Sequence, residues 1–286
     1  MTSGSDIQAP VEGISAGNPE RIKVLMYHRI VDDEEVSPGE REFCIDAKVF
    51  RSHLRILERM GFTAITFNDF DLFKRGELNL PRKPIILTFD DGYGDTHELA
   101  LPILLEYGMK AVVFVIADPK IRMNDWDSGY GITPVPLMTP EQIVELHSAG
   151  FEIGSHSLTH PRLTQISRGQ AWEEITRSRM LLEILINAPV RTFSYPYGLN
   201  NADVRRLVRD AGYTYGCGVY SGPAAFGTDP FDIRRIAPSV DILPLGFWLQ
   251  VVTPYERFEW MIWKMKQFVT RLDGTSGIVA TGAKPR

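Results

Sequence analysis

Seven runs along the chain are rich in apolar, β-branched or aromatic residues: Ile22–Tyr27, Phe62–Phe67, Pro84–Phe89, Ala111–Ala117, Phe151–Ser155, Arg191–Tyr195 and Tyr213–Val219. Runs of this length and make-up suit buried strands. Between most of them the apolar positions recur with helical spacing. Four of these helical stretches end in glycine with an apolar run at once behind it: Met60-Gly61-Phe62, Tyr107-Gly108-Met109, Ala149-Gly150-Phe151 and Ala211-Gly212-Tyr213. Glycine just past a helix end supplies the left-handed cap that turns the chain back toward a sheet. The helix starts agree: Asp46 precedes AKVFRSHLRILERM, and Thr139-Pro140-Glu141-Gln142 offers an N-cap, a proline in the first turn and a capping-box glutamine. This recurrence predicts one α/β domain over residues 21–250 with mainly parallel strands, in a sheet either open or closed into a barrel. Residues 1–20 read as a mobile arm, and 251–286 as a C-terminal helix and tail. In such sheets reactive groups belong at the carboxyl ends of the strands. Asp118–Met138, with two glycines and three prolines, reads as a long loop over one end of the sheet.

Charge and composition narrow the partners. The 286 residues carry 31 basic and 36 acidic side chains, a formal charge of -5, which leaves no overall field to draw a polyanion, so nucleic acid is not an expected partner. Cys44 and Cys217 cannot build a disulfide framework and neither sits in a C-x-x-C pair, which points to two buried thiols. The first 21 residues are polar and glycine-rich and lack the apolar core of an export leader, so a cytoplasmic location is expected. Phe258, Met261, Ile262, Met265, Phe268 and Leu272 share one helical face, with Lys264, Lys266 and Arg271 elsewhere. Such a helix packs on a core or lies on a membrane surface, the second giving peripheral membrane contact. The oligomeric state is not legible.

Chemistry concentrates at three strand ends. The run Ile85–Phe89 passes directly into Asp90-Asp91-Gly92, and burying two adjacent carboxylates requires a compensating cation or proton; a turn with capping aspartates fits the same residues. The run Phe151–Ser155 ends in His156-Ser157-Leu158-Thr159-His160-Pro161. Pro161 disfavours helical geometry at His160, and no glutamate lies between the histidines, so this is not a helical zinc pair. A strand end plus a helix start can still aim two imidazoles at one point, and two histidines with one aspartate suit a divalent transition metal that keeps positions for water and substrate. The run Arg191–Tyr195 continues into Pro196-Tyr197-Gly198, a rigid turn able to present backbone N–H groups.

TFDDG, SHSLTHP and YPYG follow one another down the chain, and their joint order resembles the polysaccharide deacetylases, the NodB homology family or carbohydrate esterase family four, over roughly residues 22–240. The resemblance implies a distorted (β/α) barrel and a metal-dependent hydrolase that removes acetyl groups from a GlcNAc-like polysaccharide, oligosaccharide or glycoconjugate. It matches Asp91, His156 and His160 to the metal ligands and Asp90 to the catalytic base, and it gives Tyr197 the oxyanion-binding N–H. One divalent ion is implied, zinc first, with cobalt, nickel or manganese as alternatives. Two departures stand out. Many relatives carry an arginine where this chain has Ser194, so Arg234 or Arg235 is expected to partner Asp90, and Arg235 is taken. No Leu-x-His occurs near the carboxyl terminus. His28, in Leu25-Met26-Tyr27-His28, resembles the opening of a branch acting on poly-N-acetylglucosamine, which implies a general acid from the amino-terminal side; the alternative is a histidine satisfied at a sheet edge. Trp126, Tyr195 and Asp127 are expected substrate contacts, aromatic rings being suited to sugar faces. Hydrolysis of a non-sugar amide on the same fold, or a catalytically silent carbohydrate-binding relative, are the competing readings.

Overall fold

The computed structural model describes residues 22–32, 43–130, 133–219, 229–238 and 242–254; the arm over 1–20 and the expected helix Phe258–Leu272 lie outside them. In chain order the elements are β1 (Lys23–Tyr27), β2 (Arg29–Val31), β3 (Cys44–Asp46), α1 (Ala47–Arg59), β4 (Thr63–Ile65), α2 (Phe67–Lys74) and β5 (Pro84–Phe89). A π-helical turn, Thr96–Ala100, runs into α3 (Leu101–Glu106), followed by β6 (Val112–Val115), α4 (Pro140–Ser148), β7 (Glu152–Ser155) and α5 (Arg168–Ile186). Then come β8 (Thr192–Ser194), α6 (Ala202–Asp210), β9 (Tyr215–Cys217) and α7 (Pro244–Val252).

Local chemistry accounts for the boundaries. Asp46 accepts from the Lys48 amide at 2.7 Å, and Thr139 and Gln142 form a reciprocal capping box on α4. Thr66 and Asp69 make another on α2, which ends β4 two residues before its apolar run does. The four glycines that close the helical patterns, Gly61, Gly108, Gly150 and Gly212, all take positive φ, between 60° and 88°.

Among the described residues every pairing between these strands is parallel, and the main sheet runs β1-β5-β6-β7-β8-β9 with β4 also on β5. Both β1 and β4 pair with Ile85 and Ile86, so β4 shares with β6 the edge of β5 that β1 leaves open. The two ends of this curled sheet meet through residues 233–236. Gly218 donates to the Ile233 carbonyl at 2.8 Å, and Ile236 exchanges backbone hydrogen bonds with Val24 and Met26, both 2.8 Å. The result is the distorted barrel of mainly parallel strands with helices outside it.

Side-chain alternation divides the core in two. Leu25, Leu87, Val113, Ile153 and Phe193 face the helices, whereas Val24, Ile86, Val112, Phe114, Tyr215, Cys217 and Ile233 fill the interior. A Cβ on Gly154 would lie 2.5 Å from the Phe114 ring, so the absence of a side chain at Gly154 leaves the space that ring occupies. Glu152 and Thr192 lie toward the amino end of the strands, and His156 and Ser194 carry the same phase to the carboxyl end.

Candidate active site

The two aspartates after β5 serve different neighbours. The Asp90 amide donates to the Tyr27 carbonyl at 3.0 Å, which keeps Asp90 in phase with Ile86 and Thr88 and buries its carboxylate. Arg235 meets it end-on, Nη1 and Nη2 each donating to a carboxylate oxygen at 2.6 Å. The same guanidinium donates to Thr88 Oγ1 at 3.1 Å, Ser194 Oγ at 3.0 Å and the Gly218 carbonyl at 3.1 Å. That makes as many bonds as a guanidinium has N–H groups. Ser194 Oγ also donates to Asp90 at 3.2 Å. Burial pushes the Asp90 carboxyl upward, but the charge and hydrogen bonds of Arg235 outweigh it and hold the group below its ordinary range.

Asp91 turns the other way, with φ at 71°. Its Oδ1 lies 3.1 Å from His156 Nε2 and 3.3 Å from His160 Nε2, and the three potential ligand atoms of this buried group fall within 4.8 Å of one another. Burial raises the Asp91 carboxyl, yet the two imidazoles overcome it and hold the group well below the carboxylate range. His156 Nδ1 donates to the Ser194 carbonyl at 2.8 Å, which fixes its tautomer and leaves Nε2 as the lone-pair atom. His160 is held differently: its ring lies between Trp126 and Tyr197, with centroids 4.5 and 4.6 Å away. Its Nδ1 has no hydrogen-bond partner among the described residues. Arg162 stacks over Tyr197, 4.0 Å from the ring centre.

Backbone strain gathers here. Of five non-glycine residues with positive φ among those described, Asp91, Ser157, His160 and Tyr197 belong to these loops, and such strain persists only where the surroundings over-determine it. The second histidine therefore does not come from a helix start: residues 156–160 form a tight left-handed loop, and α5 begins only at Arg168. Gly198, at φ +67°, has no room for a Cβ, which would lie 2.5 Å from Val219 Cβ.

The remaining expected residues divide. Arg235 rather than Arg234 reaches Asp90; Arg234 pairs with Asp232 at 3.1 Å. His28, between β1 and β2, sits edge-on to Phe43 with centroids 5.3 Å apart. Burial lowers its imidazole, against the pull of Asp91 and Asp90, so the net shift is downward. Trp126 stands against His160, whereas the side chain of Asp127 lies outside the described part of its turn. Tyr195 is corrected: it is fully buried, packs on Phe193, and its hydroxyl donates to the Phe231 carbonyl at 2.8 Å, so it supports the barrel and offers no exposed ring to a sugar. His53, stacked on Phe247, and His97, bonded to Glu145, stand apart from the site. Sequence reasoning missed Thr88 and the double role of Ser194. Ser194 carries a signal, since a short side chain where the resemblance leads one to expect an arginine leaves room for Arg235.

Residues 77–216, which include the Asp-Asp pair and both histidines at the carboxyl ends of their strands, match the family model described as polysaccharide deacetylase, so this stretch of the chain carries a polysaccharide deacetylase domain. The chain is 26% identical over 226 residues to YxkH of Bacillus subtilis (strain 168), assigned as a polysaccharide deacetylase, covering 79% of this chain and 74% of that protein. It is 22% identical over 210 residues to the poly-beta-1,6-N-acetyl-D-glucosamine N-deacetylase of Staphylococcus aureus (strain MSSA476), covering 70% of each. The fold is shared with the Streptococcus pyogenes deacetylase PplD, solved in complex with acetate, at TM-score 0.69 and 23% identity over 83% of this chain and 100% of that one.

Proposed function

We propose that the chain is a metal-dependent N-deacetylase of a GlcNAc-containing polysaccharide or oligosaccharide, with zinc held by Asp91, His156 and His160. The observation that carries this reading is the convergence of one carboxylate and two imidazole nitrogens beside the Asp90–Arg235 pair, all buried at one end of the barrel. The donor set fits: a carboxylate with two imidazoles suits a divalent transition ion, and the His156 ring is already oriented by the Ser194 carbonyl. A bound divalent ion supplies a water of lowered pKa and polarises the acetamide carbonyl.

The chain's own groups divide the remaining work. Asp90, kept ionised and oriented by Arg235 and Ser194, takes the proton of the attacking water. The N–H of Tyr197, in the turn Pro196–Gly198, donates to the developing oxyanion. His28 protonates the departing amine, and Trp126 offers its ring to a sugar face. The relative that acts on poly-β-1,6-GlcNAc supports a polymer of this kind as the substrate.

The test is metal content together with acetate release. Asp91→Ala, His156→Ala and His160→Ala are each expected to lose bound zinc and to release acetate at background rate. Full metal occupancy and full activity in either histidine variant would overturn the ligand assignment.

A further inference from the structure

Between the two histidines, the backbone is held by a residue outside all three motifs. Glu174, on the second turn of α5, accepts hydrogen bonds from the amides of Leu158 and Thr159 at 3.0 and 2.8 Å on one carboxylate oxygen. It accepts the Thr159 hydroxyl at 2.6 Å on the other. The next amide, that of His160, donates to Ser157 Oγ at 3.0 Å. Every amide from 158 to 160 is thus taken by a side chain, in a loop whose Ser157 and His160 have φ of 69° and 64°. Two successive N–H groups converging on one oxygen form a small nest, and here the anion that fills it belongs to the protein.

This arrangement matters because the two imidazoles are held unequally. His156 leaves a β-strand and its Nδ1 is fixed by the Ser194 carbonyl. The Nδ1 of His160 has no hydrogen-bond partner among the described residues, only Nε2 meeting Asp91, and its backbone lies in a conformation that costs energy outside glycine. Apart from Asp91 itself, its placement rests on ring contacts and on the loop, and Glu174 holds two amides of that loop. We infer that Glu174 is a positioning residue for the metal centre, presetting the 157–160 loop so that His160 meets Asp91 and His156 before the ion arrives. This rests on the metal-binding reading of the three ligands.

The alternative is that Glu174 merely docks α5. Metal affinity separates the two. Zinc dissociation constants would be measured on metal-stripped full-length protein by competition with a chromophoric chelator, alongside thermal unfolding of the stripped form. Outer partners of metal ligands commonly contribute ~10–100-fold in affinity, and a loss in that range is expected for Glu174→Ala. Glu174→Gln, whose carbonyl oxygen can still accept both amides, should recover most of it. Ser167→Ala removes the α5 cap without touching the loop, and should lower Tm with zinc affinity unchanged. Should Glu174→Ala fail to fold, Thr159→Val, which removes one of the three bonds, should still weaken zinc binding several-fold. Affinity within about threefold of wild type for Glu174→Ala, or an equal loss in Ser167→Ala, would overturn the inference while leaving the ligand assignment standing. A wild-type protein that binds no zinc would overturn both.

Discussion

At the scale of single residues, the pairing of Asp90 with Arg235 decides most. Removing one partner of a buried pair leaves an uncompensated charge and costs about 3–5 kcal/mol, so Arg235→Ala is expected to unfold at markedly lower denaturant concentration. Arg235→Lys keeps the charge but cannot grip both carboxylate oxygens. It should fold and lose most of kcat, as steady-state acetate release and circular dichroism would show together. His28→Ala is expected to keep its zinc and fold and to lose ~10²–10⁴-fold in kcat, the usual contribution of a general acid; activity within about threefold of wild type would leave that role empty. The aspartates and histidines were legible in the sequence because each pair lies in one short stretch at the end of an apolar run. The partner of Asp90 was legible only as a choice between Arg234 and Arg235, and strand alternation makes that choice: Ile233 faces the interior, so Arg235 does too. Glu174 gave no sign, since its contacts join a mid-helix glutamate to backbone amides 15 and 16 residues away.

At the scale of elements, the barrel's other end carries a charge with its own pH signature. Glu152, which starts β7, is buried and accepts from the Asn68 amide at 2.8 Å and Thr192 Oγ1 at 3.0 Å. Burial outweighs those bonds and pushes its carboxyl up to about 7. Its folded-state pKa lies above its unfolded one, so the folded protein binds the extra proton between about pH 4.5 and 7. Its contribution to stability therefore declines as pH rises through that window. Glu152→Gln should gain on wild type as pH rises, by up to about 3 kcal/mol at pH 8 from a shift of this size. Urea unfolding of both proteins at pH 4.5, 6 and 8 measures it, and a constant difference would contradict the burial argument. In the third motif, Gly198→Ala forces a Cβ against Val219 at positive φ and should lower both Tm and kcat, because the turn that carries Tyr197 must move. The expected strands proved longer than the observed ones where capping intervenes, as at Thr66, because an apolar run does not reveal where a side chain begins to cap a helix.

At the scale of the whole molecule, the repeated βα units announced a parallel sheet but not whether it closes. Closure is made by residues 233–236, which hydrogen-bond Gly216 and Gly218 on one side and Val24 and Met26 on the other. No periodic pattern marks that segment, since it is short and borrows both its neighbours from the ends of the sheet. The closure has a functional result: it delivers Arg235 across 145 residues to Asp90, so the base and its partner come together only in the completed barrel. The central claim, that this barrel end hydrolyses an N-acetyl group with the help of a bound cation, is tested most directly by acetate release. Poly-β-1,6-GlcNAc and short GlcNAc oligomers would be offered to the full chain loaded with zinc, stripped by chelator, and reloaded. Acetate should appear with zinc, vanish on stripping, return on reloading, and be absent with loaded Asp90→Asn. Zinc-loaded wild type that releases no acetate from any N-acetylated glycan, or stripped protein as active as loaded, would contradict the account.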